Sequence, residues 1–161
     1  MAYFLDLFSP ETHEAFTHTS KTLSGFRARH RAAAERVRAG DLFVCYVTKV
    51  SRWCGLLEVV SGPFLNDTPL YLPEDDPFLV RFEVRPRIWL PLDQSLPIRE
   101  AFIWNALSFT RPFPAGAGTW AARVRCSLVR MDAADGDFLV EALREQRRQR
   151  KIYPLATPST G

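Results

Sequence analysis

The octet Ser24-Gly25-Phe26-Arg27-Ala28-Arg29-His30-Arg31 sets three arginines at alternate positions directly after a glycine and an aromatic residue. A guanidinium meets a phosphate bidentately, and an aromatic face is what an unstacked base rests on, so this stretch has the residue types to hold a nucleotide. Lys21 lies just before it, and Arg52 sits at a turn between two strand-like runs. Lys21, Arg27, Arg29, Arg31 and Arg52 are therefore the candidate contacts to a nucleic-acid backbone. Phe26, Trp53, Phe64, Tyr71, Trp89, Trp104 and Trp120 include several aromatics in loops or at strand ends, although packing is the default for any single one of them. Stacking contributes about 1–3 kcal/mol per base, and turning a base out of a helix costs a few kcal/mol. Affinity would then come from phosphate contacts and discrimination from the pocket.

The charge pattern supports an anionic ligand on one face. The net charge is +3, yet residues 144–151 alone carry +4 and residues 21–38 carry +5, so the remainder of the chain is acidic. Such polarisation suits a ligand approaching one side better than a general coating of nucleic acid, although a solvated helix face would carry the same charges. No assembled chemistry competes with this reading. GxSxG, GxGxxG, GxxxxGK and HExxH are all missing, and Glu83-Val84-Arg85 is only an approach to a nuclease Glu-x-Lys. His13, His18 and His30 have no repeated ligand spacing and read as surface or loop residues. Cys45, Cys54 and Cys126 form no CxxC pair and read as buried thiols. Neither a metal nor a cofactor is expected, and a binding protein is expected rather than an enzyme.

With 161 residues, 47% of them hydrophobic, the chain suits one domain. It has no apolar run of the roughly 20 residues a membrane span needs, and a cytoplasmic protein is expected. A strand is predicted over Tyr3–Phe8, then a helix over Pro10–Thr19 capped by Ser9. A loop is expected over Lys21–Gly25 and a basic helix over Arg27–Arg38, closed by Gly40. Leu42–Thr48 and Trp53–Ser61 read as a hairpin turning through Lys49–Arg52. The proline-rich connection Gly62–Pro77 is a candidate pocket wall. Phe78–Leu90 follows as a strand with a bulge or edge at Pro86, then a helix over Pro97–Ser108, a strand over Arg123–Met131 and a helix capped by Asp132. Its apolar stripe of Phe138, Leu139, Ala142 and Leu143 stops near Arg144, so the domain is expected over 1–145 with a basic linker or tail over 146–161.

The order of these parts resembles the EVE domain of the PUA-like superfamily and its YTH relatives. The resemblance rests on Ser24-Gly25-Phe26-Arg27 before a basic segment, Gly40-Asp41 at a strand entry, Cys54-Gly55-Leu56-Leu57-Glu58-Val59, Phe82-Glu83-Val84, and Arg125-Cys126-Ser127-Leu128 before the last helix. It implies an α+β fold, a mixed β-barrel of about five to six strands flanked by helices. It also implies a reader of a modified, flipped base such as 5-methylcytosine, 5-hydroxymethylcytosine or 6-methyladenine, in the manner of the specificity module of a modification-dependent restriction system. The partner is then nucleic acid, with a nuclease or motor domain beside it. The YTH pattern has a tryptophan after the loop glycine where this chain has Phe26-Arg27, and Tyr71, with Phe64 as a substitute, stands where the second cage aromatic arises. Ser24, Gly25, Phe26, Trp53, Phe64, Asp67, Tyr71 and Trp104 are the expected base-binding set. Two other PUA-like classes remain: a binder of transfer or structured RNA without a modified base, and an ASCH-type enzyme, whose Gly-x-Lys-x-x-Glu-x-Arg signature this sequence lacks.

Overall fold

A computed structural model of the chain describes residues 1–71, 78–114 and 118–156. β1 (Tyr3–Phe8) leads into α1 (Pro10–Thr17), which starts where Ser9 and Thr12 cap each other's backbone N–H groups and Pro10 supplies a preset φ. β2 (Leu23–Phe26), α2 (Arg31–Ala34), β3 (Leu42–Val47), β4 (Arg52–Leu65) and β5 (Val80–Trp89) follow. β6 (Leu96–Pro97), α3 (Ala101–Trp104) and α4 (Ala133–Gln149) complete the chain. The strand order is β1-β3-β4-β5-β2, with β6 on β4; β1 and β3 are parallel and the other pairs antiparallel. This is the expected α+β architecture, a mixed half-barrel flanked by helices.

Alternation along the strands divides the apolar residues between two cores. Phe4, Phe8, Phe16, Phe26, Phe43, Val47 and Phe82 fill the inside of the half-barrel. Tyr3, Leu5, Val44, Tyr46 and Trp53 face the other way, against Trp104, Leu107, Trp120, Leu139 and Leu143. β1 and β2, the two ends of the strand path, face each other across an open seam. A buried bond crosses it, from the Ser24 hydroxyl to Asp6 Oδ2 at 2.6 Å.

Several sequence expectations are corrected. Instead of a loop, Leu23–Phe26 is β2, paired in register with Glu83 to Val80 of β5; Gly25 permits this because a Cβ there would lie 2.7 Å from Leu70 and 2.8 Å from Phe78. The basic helix is cut to a 3₁₀ turn (Ala28–His30) and the four residues of α2. The buried Asp41 carboxylate accepts from the Arg38 and Ala2 N–H groups, drawing the chain out of helix and into β3. The helix expected over 97–108 is reduced to α3 followed by turns. In place of a strand over 123–131 there is a 3₁₀ turn (Trp120–Val124) and a segment that meets β1 through a single bridge, Phe4 to Arg130. Leu128, with φ +63°, breaks the extended geometry there. The bulge at Pro86 is present, as a register shift opposite Leu56 and Leu57.

Residues 146–156 are not a free linker. α4 continues to Gln149, and the buried Gln146 amide donates to the carbonyls of Gln94 and Lys151. Tyr153 is 6% exposed, with its N–H on the Asp93 carbonyl. Cys45 and Cys54 are buried as expected, but Cys126 is exposed in the irregular segment beside β1. His13 and His30 are also buried rather than on the surface: His13 lies on the inward face of α1, bonded to the Leu90 carbonyl and stacked on Trp89. Among the described residues no helix is long and apolar enough to cross a membrane, and no cluster of metal ligands is present.

Candidate nucleic-acid interface

At one end of the open seam lies a cavity of about 320 Å³. β1 and the start of α1 contribute Leu7, Ser9, Glu11 and Thr12. β2 and the turn after it contribute Gly25, Phe26, Arg27, Arg29 and His30, and Phe78, Arg125 and Ser127 close the remaining sides. Among the described residues β1 and β2 share the Ser24–Asp6 hydrogen bond and no backbone ladder, which leaves the seam between them. Gly25 keeps the floor thin: its N–H donates to the Tyr71 hydroxyl at 3.2 Å, and any side chain there would collide with Phe78.

The principal wall is a pair that linear reading did not find. The Arg27 guanidinium lies over the Phe78 ring, 4.7 Å from its centroid, so the aromatic face backs the guanidinium and fixes it in the wall. Arg29 and Arg125 add exposed guanidiniums and Glu11 one carboxylate, so the lining is positive. His30 adds no charge at neutral pH: burial, and then the Arg29 charge, push its pKa down. Opposite, the Ser127 hydroxyl is tied to β1, accepting from the Leu7 N–H at 3.1 Å. The lining therefore offers an aromatic-backed wall, three guanidiniums as N–H donors, one carboxylate acceptor and the hydroxyls of Ser9, Thr12 and Ser127.

Of the expected base-binding residues, Gly25 and Phe26 line this cavity, and the Phe26 ring itself points into the inner core against Phe43 and Phe82. Ser24 is fully buried on Asp6. Tyr71 packs among Phe8, Phe16 and Phe78 with its hydroxyl on Gly25 and is absent from the lining, so it supports the wall from behind. Trp53 and Trp104 belong to the opposite core and cannot reach the cavity. Phe64 lies half-exposed along β4, paired with Arg81, and Asp67 is exposed beyond it. Neither lines the cavity. Part of the connection expected to form a pocket wall, residues 72–77, lies outside the described residues.

Of the expected backbone contacts, Arg27 and Arg29 are in place. Arg31 is exposed on α2 but outside the lining, and Lys21 borders a different cavity with His13 and Trp89. Arg52 is corrected outright. It is 7% exposed, and its guanidinium donates to the carbonyls of Leu92, Tyr153 and Pro154, a structural clamp that holds the chain after α4. Phe78 and Arg125 were missed as site residues. Arg125-Cys126-Ser127 was visible as a motif, but only the fold brings it opposite β2; Phe78 carried no local signal beyond that of a strand residue.

No family model matches the chain, and no curated protein matches it by sequence. Solved structures match by shape. A YTH domain-containing protein mmi1 in complex with RNA has a TM-score of 0.60 at 16% identity, over 92% of this chain and 85% of that one. The Pho92 YTH domain in complex with m6A gives 0.58 at 15%, over 89% and 83%. Human THYN1 in complex with 5-methylcytosine-containing DNA gives 0.56 at 15%, over 88% and 97%. At such identities the likeness concerns the polypeptide path, and the chain has the fold of the YTH domains and of THYN1.

Proposed function

We propose that this chain is a non-catalytic nucleic-acid-binding domain that accepts a modified base, turned out of its strand, in the seam cavity between β1 and β2. The observation that carries the reading is the Arg27–Phe78 wall in a positively lined cavity of about 320 Å³. Structures of the same fold in complex with m6A and with 5-methylcytosine-containing DNA support it. The base enters between the Arg27–Phe78 wall and the Leu7–Ser127 side, and Arg29 and Arg125 hold the flanking phosphates. Glu11 is the acceptor for an exocyclic amine, and the guanidiniums are donors to ring nitrogen or carbonyl oxygen. That set matches an amino base, cytosine or adenine, better than a keto base. Chemistry on the bound nucleic acid falls to a partner, a nuclease or motor domain in a modification-dependent restriction system.

The test is a binding screen with matched DNA and RNA oligonucleotides that differ only in one base: 5-methylcytosine, 5-hydroxymethylcytosine, 6-methyladenine or the unmodified base. One modified oligonucleotide should bind in preference to its unmodified twin. Phe78→Ala should reduce that preferred affinity by about 1–3 kcal/mol. Arg29→Gln and Arg125→Gln should weaken all oligonucleotides alike and each lower the salt slope by about 0.7 on single strands. Equal binding of every oligonucleotide would refute modified-base recognition and leave a binder of nucleic-acid charge and shape. Incubated with the same oligonucleotides and magnesium or manganese, the purified chain should leave them intact; cleavage that disappears on mutating one of its own carboxylates would refute the non-catalytic part.

A further inference from the structure

A second cavity, of about 490 Å³, opens where α3 meets the turns that follow it, lined by Arg99, Trp104, Asn105, Arg111 and Phe113 among others. The Arg99 guanidinium is seated over two indole rings, 5.7 Å from the Trp104 centroid and 5.3 Å from that of Trp120. The rings are themselves fixed. They pack edge-on at 5.1 Å, both are buried, and the Trp104 Nε1–H donates to the Phe113 carbonyl at 2.8 Å. Arg99 is thus held in place on its apolar side, and the exposed Arg111 lines the same cavity.

These two guanidiniums differ from the surface arginines that are held in ion pairs. Arg85 and Arg87 are paired with Glu58, Arg144 with Glu141, and Arg148 with Glu145. Among the described residues neither Arg99 nor Arg111 has a carboxylate at ion-pair distance, so their charge is uncompensated. A positioned guanidinium fork beside a second one, in a cavity with aromatic walls, is the arrangement that takes a phosphate. The location favours a phosphate that belongs to a strand. Trp120 begins the 3₁₀ turn that ends at Val124, and the next residue is Arg125 of the seam cavity. At about 2.0 Å per residue that turn spans on the order of 10 Å, the length of a few stacked nucleotides at about 3.4 Å each.

We infer that the Arg99–Arg111 cavity is a second phosphate-binding site, which holds the backbone of the nucleic-acid strand a few nucleotides from the base in the seam cavity. The strand path rests on the proposed function; the phosphate chemistry of the cavity stands on its own geometry.

The experiment compares wild type, the Arg99→Gln/Arg111→Gln double variant and Arg99→Lys, using a trinucleotide and a nonanucleotide that each carry the preferred base at the centre. Both arginines are exposed, and melting curves confirm that the variants are folded. The wild type should bind the nonamer more tightly than the trimer. The double variant should lose about tenfold on the nonamer and about 1.4 in its salt slope, with the trimer unchanged. Arg99→Lys, which keeps the charge but not the fork, should fall between. Equal nonamer binding by wild type and double variant overturns the inference while leaving the base reading untouched. If the double variant weakens the nonamer but wild type shows no preference among bases, the second site stands and the base reading fails. A titration with inorganic phosphate distinguishes the source: heat that depends on Arg99 and Arg111, combined with equal nonamer binding, assigns the cavity to a free phosphate and overturns the strand path.

Discussion

Asp6→Asn should remove most of the pH dependence of folding stability and raise the melting temperature relative to wild type at pH 8. Asp6 is 1% exposed inside the half-barrel and accepts one hydrogen bond, from Ser24, at 2.6 Å. Burial pushes its pKa up from 3.8 to about 8; the Ser24 bond pulls the other way and the nearby Cys54 adds to the rise. The native carboxyl therefore keeps its proton after the unfolded chain has released its own. The stability Asp6 contributes is fully present below pH 4, falls by about 1.4 kcal/mol per pH unit from there to pH 8, and levels off above. The cost near pH 7 is on the order of 4 kcal/mol. Asparagine keeps the acceptor for Ser24 and cannot ionise, but it adds an N–H that needs a partner, at about 1–3 kcal/mol. At pH 8, where the cost is on the order of 5 kcal/mol, the net gain should be about 2–4 kcal/mol, reversing near pH 4. Thermal or urea melts of both proteins across this range decide it, and parallel curves would show that Asp6 is not held protonated. Because Asp6 and Ser24 are the bond across the β1/β2 seam, the same titration bears on how firmly the cavity is closed underneath.

Trp53→Ala should cost about 3–5 kcal/mol of stability. For a domain of this size that lowers the melting temperature by about 10 °C. Trp53 is fully buried and packs edge-on against Tyr46 at 4.8 Å, within the core that carries α3 and α4. Among the described residues its Nε1–H has no hydrogen-bond partner, so Trp53→Phe loses volume but no bond and should recover most of the stability. Oligonucleotide affinity measured on the folded fraction should be unchanged in both variants. A variant that melts like wild type but binds less well would return Trp53 to the base pocket.

Much of the frame is already written in local patterns. The Ser9-Pro10 start of α1, the Asp132 cap of α4, the apolar runs of β3, β4 and β5, and the bulge at Pro86 each depend on neighbours in the chain, so periodicity and capping chemistry reveal them. Arg27 and Arg29 stand beside Gly25 in the linear octet, and the cavity uses all three. The remainder depends on contacts between distant segments. Gly25 and Ser24 have weak strand propensity, yet β5 supplies a ladder for them to join, and Asp41 ends the basic helix through backbone groups as far away as Ala2. Arg52 looks like a phosphate ligand until three carbonyls, two of them about 100 residues away, consume its donors. An aromatic residue carries no local mark of whether it lines a core or a cavity. Trp53, Tyr71 and Trp104 went inside because the sheet and helices closed over them, and Phe78 became the wall because β2 and β5 set Arg27 beside its ring. The sequence by itself determined the types of chemistry this protein offers, guanidinium and aromatic, and the elements that carry them. Which of those side chains meet across the seam was decided only by the fold, since burial and hydrogen-bond satisfaction are settled by partners that lie far off along the chain.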